Sequence, residues 1–352
     1  MTTIDVIVPV YRGVEATQRC IESVLSTASS IASSTASSIK QRTPFELIVV
    51  NDACPEPELV RWLREHAERS RLTLIEQPLC QGFAAAVNRA IALHPERDVV
   101  VLDSDAEVAS DWLDRLVAPV SAARDIGTVV PFTNYGGIAA YPRTGVKNAM
   151  PAGHTLSSMD LLFRRANAGS SVTTPLGRGP CVFFRRACLD AVGPFDGGPL
   201  GGDYGVEQDF CLRASGAGFR HVLAADVYVW HRGATAFGSS EAQDLAARAE
   251  KALDKLYPHY PTQRAEFAAR DPARTFRRRV DLLRLAESPR QLLLFIVHGW
   301  GGGVRRHVDD LIEMVSERCN VLLLQPGVGD TVKVSWPREG EDFAAYFTLP
   351  RE

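Results

Sequence analysis

The sequence predicts an α/β protein built on a mostly parallel, Rossmann-like sheet flanked by helices. Three observations carry that expectation. Short Val- and Ile-rich runs alternate with amphipathic stretches through the first half of the chain. The runs are continuously apolar, as strands buried on both faces are. Several of them end in polar or acidic residues, at the edge where open α/β sheets bind ligands.

Taken in order, the expected strands are residues 4–10, 45–50, 72–75 and 98–102, and the helices between them are residues 14–26, 58–69 and 83–93. Each intervening helix is long enough for a right-handed crossover. Residues 26–43, nearly all Ser, Ala and Thr, interrupt the order with an insertion that has little to bury. From about residue 125, Pro131, Pro142, Pro151, Pro175 and many glycines predict long loops on a rigid sheet, the usual carriers of binding groups. A strand at Cys181–Phe184 and a helix at 208–216 follow. Helix formers at 241–257, then a basic, Pro-punctuated stretch ending near Pro289, predict a helical extension and linker. Residues 292–297, 305–315 and 321–324 read as the strand, helix and strand of an incomplete second α/β unit. The expected units are therefore 1–240, 241–289 and 290–352.

With 352 residues, 45% of them apolar and 23% charged, the composition is that of an ordinary globular protein and excludes disordered and collagen-like classes. A formal charge of −3 supplies no basic field for a nucleic-acid backbone, so no nucleic-acid partner is expected. The basic run at 274–279 reads as a solvated helix face. The N-terminus lacks the basic and apolar regions of a signal peptide, and no apolar run approaches the roughly 20 residues that span a bilayer. A cytoplasmic protein is expected, peripheral to the inner membrane if its substrate resides there. The seven cysteines are odd in number and form no C-x-x-C pair, which predicts reduced, mostly buried thiols.

The strongest local signal is the sequence VVVLDSD, in which an apolar strand runs into Asp103 and Asp105. Carboxylates spaced i, i+2 on an extended chain share a face. At a strand end they can converge on a hard cation, Mg²⁺ or Mn²⁺, which binds through one or two carboxylates plus substrate phosphates. Caps and turns also produce D-x-D, so its position decides: the first strand closes on Pro9 and Tyr11, and the second on Asn51 and Asp52. Three such strand ends read as a cradle for a nucleotide sugar.

These segments, IDVIVPVY (4–11), ELIVVND (46–52), GFAAAVNRAI (82–91), DVVVLDSD (98–105), RGPCVFFRR (178–186) and GPFDGGPLGGDYGVEQDFCLR (193–213), resemble the ordered signature blocks of glycosyltransferase family 2. The resemblance spans about residues 1–240 and implies the GT-A fold and an inverting transfer from a nucleotide-diphosphate sugar. It implies that Pro9, Tyr11 and Asp52 hold the base and ribose, that Gly82 and Asn88 line the donor site, and that Asp103 and Asp105 address ribose, metal and diphosphate. The block at 204–213 resembles the family's acidic motif and implies Glu207 as the catalytic base; because Val206 stands where the commonest form has a second acid, Asp209 remains the alternative. His231, in VWHRG, resembles the late histidine that completes the metal site with Asp105.

The implied partners are a UDP-, dTDP- or GDP-sugar donor and a glycan or lipid-linked saccharide acceptor, in assembly of a surface polysaccharide. Two other classes are weighed beside this one. A catalytically inactive nucleotide-sugar-binding scaffold would have no need of Asp105, Glu207 and His231 together. A sugar nucleotidyltransferase would want a glycine-rich, basic loop after the first strand, which residues 11–15 do not supply. A weaker resemblance links residues 290–352 to the opening of a GT-B glycosyltransferase; Val304 and Arg306 stand where the dinucleotide fingerprint needs glycine.

Overall fold

The computed structural model describes residues 3–28, 41–135, 137–200, 204–233, 239–298, 302–338 and 341–348. Most of the Ser/Ala-rich insertion, at 29–40, lies outside the described residues. The chain begins β1 (Ile4–Val10), α1 (Val14–Ala28), β2 (Phe45–Asp52), α2 (Pro57–Glu68), β3 (Thr73–Gln77), α3 (Phe83–Ile91) and β4 (Val99–Leu102). It continues through β5 (Ala106–Glu107), α4 (Trp112–Ala122), β6 (Ile126–Thr133), α5 (Leu156–Asn167), β7 (Ser171–Thr174), β8 (Cys181–Phe184), α6 (Arg186–Val192), α7 (Val206–Gly216) and β9 (Arg220–His231). Three helices follow, α8 (Ser239–Leu256), α9 (Tyr260–Arg270) and α10 (Arg274–Glu287), then β10 (Gln291–Ile296), α11 (Gly303–Val315), β11 (Cys319–Pro326), β12 (Thr331–Arg338) and β13 (Glu341–Thr348).

The expected βαβ order yields a nine-stranded sheet in the order β3-β2-β1-β4-β8-β6-β9-β5, with β7 beside β9. Strands β1 to β4 pair in parallel, while β8 runs antiparallel between β4 and β6. Alternation along β1 explains the two layers of core. Val6 and Val8 point to the α1, α2 and α4 side, against Ile21, Leu59 and Trp112. Ile7 points to the other side, where α3, α5 and α7 contribute Val87, Phe163 and Phe210. Each such fully buried side chain stabilises the fold by about 1.5–3 kcal/mol.

Three features differ from the expectation. Residues 126–133, expected as loop, form the fully buried strand β6. Its Pro131 is accommodated at a register shift against β9, the irregularity that lets proline sit inside a sheet. Further on, the stretch expected to end in a linker is helical, and α10 packs on α5 with Ala273 and Val280 in the main core. The basic run is accordingly not a purely solvated face: Arg277 is buried, pairs with Asp271 and donates to Ile138 O at 2.7 Å. Finally, the second unit holds two more strands than expected, since β12 and β13 complete an antiparallel side to a β10-β11-β12-β13 sheet. Arg284 of α10 lies over the rings of both Tyr141 and Trp336, joining this sheet's β12 to the first core.

All seven cysteines are thiols, four of them buried. No helix among the described residues is long and apolar enough to cross a membrane.

Candidate functional site

The site is built where β4 and β9 end side by side. After Leu102 the chain turns through Asp103 and Asp105 into β5, which pairs antiparallel with the end of β9, aligning Ala106 with His231. Two bonds fix the turn: Arg232 N–H donates to Asp105 O and Gly233 N–H to Asp105 Oδ2, both at 3.1 Å. His231 Nε2 is thereby held 2.9 Å from Asp105 Oδ1 and 3.7 Å from Asp103 Oδ2.

Two carboxylates and an imidazole whose ligating atoms lie within 4.8 Å of one another make a donor set for one divalent cation. The electrostatics agree with that fit. Asp103 keeps 37% of its side-chain exposure, yet the surrounding protein, with Asp105 alongside and against His231 and Arg178, raises its carboxyl to about 6. Burial works against a charged His231, but the Asp105 hydrogen bond and both carboxylates outweigh it and hold the imidazole above its ordinary value. Negative charge here is concentrated and incompletely neutralised by protein. Nε2 is the ring nitrogen that faces both carboxylates, while among the described residues the buried Nδ1 has no hydrogen-bond partner.

The contrast with another acidic group is instructive. Asp5, Glu46 and His94 also gather at the opposite end of the sheet, but Arg97 stands inside that group, 2.9 Å from Asp5 and 2.8 Å from Glu46. Its charge is balanced internally.

Helix α7 supplies the acids expected from the 204–213 block. It starts after Gly205, whose φ of +84° and close neighbours Leu253, Ala249 and Leu200 leave no room for a side chain. Glu207 and Asp209 then part company. Asp209 is buried, accepts from Tyr257 Oη at 2.6 Å and pairs with Arg213 at 2.8 Å. Glu207 lies instead within electrostatic range of Asp103, and desolvation together with that like charge raises it to about 8.

Of the residues expected on the nucleotide, Pro9 lies near the end of β1, and Tyr11 follows with the Arg12 guanidinium 5.0 Å from its ring centre. Asp52 is nearly buried and directed into its own chain: its oxygens accept from Gln81 N–H and Gly82 N–H, each at 2.8 Å, and from Cys80 Sγ at 3.2 Å. Gly82, at φ +87°, makes the turn into α3 possible. Asn88 is engaged by backbone as well; it donates to Phe195 O and accepts from Phe195 N–H, tying α3 to the 193–200 loop.

Sequence reasoning missed four residues around this cluster. Asn134, fully buried just beyond β6, donates to His231 O at 2.8 Å and accepts from His231 N–H at 2.6 Å, so one amide grips both polar groups of the histidine's backbone. Asn148 secures Asn134 in turn, donating to its carbonyl at 3.2 Å. Lys147 brings its ammonium to Gly233, 3.2 Å from where a Cβ would stand. Arg178, just before β8, lies within electrostatic range of Asp103. Lone Asn and Lys residues in an aperiodic loop have no sequence signature; the available signal for Asn134 was its place directly after a strand.

With this geometry in view, relatives can be compared. Glycosyltransferase AglE of Haloferax volcanii is 24% identical over 230 residues, which are 65% of this chain; the chain spans 66%, just under two thirds, of that protein's length. In three dimensions the chain is similar to the mannosyltransferase PcManGT from Pyrobaculum calidifontis, solved in complex with GDP-Man and Mn²⁺, with a TM-score of 0.51 at 19% identity over 89% of this chain and 80% of that one, a likeness of fold. The profile of glycosyl transferase family 2 matches residues 5–193, over half of the sequence and the part that carries β1 to β8, and by that match the chain belongs to glycosyltransferase family 2.

Proposed function

We propose that this glycosyltransferase transfers a sugar with inversion from a nucleotide-diphosphate donor to a glycan or lipid-linked saccharide, with a divalent cation at Asp103, Asp105 and His231 and with Glu207 as the base. The observation that carries the reading is the pairing of an undercompensated carboxylate–imidazole cluster with Glu207, whose competitor in the same helix, Asp209, is already engaged by Tyr257 and Arg213.

In this reading Asp105 and His231 hold the cation and Asp103 reaches both cation and ribose. Mn²⁺ or Mg²⁺ bound there would neutralise the diphosphate as it departs. Glu207 accepts the proton of the attacking hydroxyl on the face of the sugar opposite the diphosphate, which inverts the anomeric centre; its raised proton affinity suits a base working near neutral pH. Pro9 and Tyr11 flank the nucleoside, and Asp52 shapes the 80–82 turn beneath it. Residues 1–240 form the transferase unit, 241–289 brace it, and 290–352 form an appended α/β unit. An acceptor in surface polysaccharide assembly, reached from the cytoplasmic side of the inner membrane, suits this arrangement.

The test is thermal stabilisation by a panel of UDP-, GDP- and dTDP-sugars with and without Mn²⁺, since a ligand specific to the native state raises the melting temperature. At least one nucleotide should stabilise the protein only when Mn²⁺ is present. Failure of the whole panel, or stabilisation indifferent to metal, overturns the reading.

A further inference from the structure

Arg178 is mounted between the two halves of the chemistry. The antiparallel β4–β8 pair aligns Leu102 with Cys181, and Asp103 N–H donates to Pro180 O at 2.9 Å, so the residues before β8 run alongside the Asp103 turn. On its other flank, Gly177 is fastened to α7: its N–H lies 3.3 Å from Cys211 Sγ, and that thiol lies 3.4 Å from Gly177 O. Cys211 stands one helical turn after Glu207, on the same face. The fastening is tight, because a Cβ at position 177 would come within 2.0 Å of Thr128 Oγ1. The backbone bearing Arg178 is thus pinned to the carboxylate turn at one end and to the Glu207 helix at the other.

Its side chain is exposed, and among the described residues it makes no hydrogen bond or ion pair, although Asp103 and Glu207 both lie within electrostatic range. Several arginines of the fold are committed to carboxylates instead: Arg213 pairs with Asp209, Arg115 with Asp160, and Arg97 with Asp5 and Glu46. A guanidinium is a planar fork suited to carboxylate and phosphate oxygens. Held rigidly at its base and left unpaired at its tip, it is placed for an anion brought in from solution.

We infer that Arg178 binds an oxyanion of the donor substrate, either the diphosphate itself or a carboxylate on the sugar being transferred. The inference rests on the proposed donor site and adds to it a residue that reads donor charge.

The experiment is titration calorimetry of the full chain in Mn²⁺ with UDP, GDP, dTDP, UDP-glucose, GDP-mannose, dTDP-glucose and UDP-glucuronate, for the wild type, Arg178→Ala and Arg178→Lys. A lost charge-assisted contact should weaken binding about 10- to 100-fold in Arg178→Ala, with the melting temperature unchanged and partial recovery in Arg178→Lys. Equal weakening of the nucleoside diphosphates and their sugars identifies the diphosphate as the anion. Weakening confined to UDP-glucuronate identifies the sugar carboxylate. Tight wild-type binding that Arg178→Ala leaves intact for every ligand overturns the inference and spares the donor site. If the wild type binds none of the probes, the donor-site reading fails and this inference falls with it.

Discussion

Two strand-end carboxylates, Asp52 and Asp105, occupy similar places on one sheet and do different things. Asp52 is largely engaged by the chain that follows it, its two oxygens accepting from two backbone N–H groups and a thiol. Asp105 receives one backbone N–H and otherwise faces His231 across from Asp103. The first carboxylate is held by its own backbone, whereas the second is left to be balanced by a cation in the function proposed above. Position at the carboxyl end of a strand therefore marks a residue as near the ligand, and the state of its hydrogen bonds decides whether it builds the site or acts in it.

The largest effect should fall on the base. Glu207→Gln keeps size and much of the hydrogen bonding but cannot take a proton, so kcat should fall about 10²- to 10⁴-fold with nucleotide binding retained. In the wild type, transfer should rise with pH as Glu207, raised to about 8, loses its proton, with the midpoint lowered by a bound cation. Asp209→Asn should instead cost stability through Tyr257 and Arg213; a well-folded, inactive Asp209→Asn beside an active Glu207→Gln would transfer the base assignment to Asp209.

Next comes the cluster itself. Asp105→Ala should abolish the Mn²⁺-dependent part of nucleotide affinity in calorimetry, and undiminished affinity would remove the metal from this site. Asn134→Ala, which never touches the cation, should weaken Mn²⁺ binding about 10- to 100-fold by releasing the His231 backbone, the range typical of supporting groups around metal sites. Unchanged metal affinity would show that His231 needs no such grip.

The smallest effect tests the other side of the contrast. Asp52→Asn keeps one acceptor and loses the other, so the 80–82 turn should loosen at a cost of about 1–3 kcal/mol, read as a lower melting temperature. If stability is untouched and nucleotide affinity collapses, Asp52 contacts the ligand directly and the distinction drawn from its bonding fails.

Much of this was legible because parallel strands announce themselves as continuous apolar runs and their ends are abrupt: β1, β2 and β4 with Tyr11, Asp52, Asp103 and Asp105 came straight from the sequence. Strand β6 was hidden by Pro131, which reads as a breaker until the neighbouring strand is seen to shift register around it. Strand β12 carried the alternation Val332, Val334, Trp336, a period-two signal that a search for unbroken apolar runs passes over. Asn88 belonged to a recognisable block, but which groups its amide faces is a tertiary fact; Phe195 lies 107 residues away in sequence. Asn134 and Arg178 were illegible for the same reason, since their meaning is relational.

The close fit of Gly177 against Thr128 has a consequence for engineering. Position 177 tolerates only glycine, while the adjoining position 178 carries an exposed side chain within electrostatic range of Asp103 and Glu207. Rigidity and freedom sit on consecutive residues, so exchanging Arg178 alone offers a way to retune which donors the enzyme accepts while the scaffold beneath stays as it is, and a saturation library at that single codon is the smallest useful search.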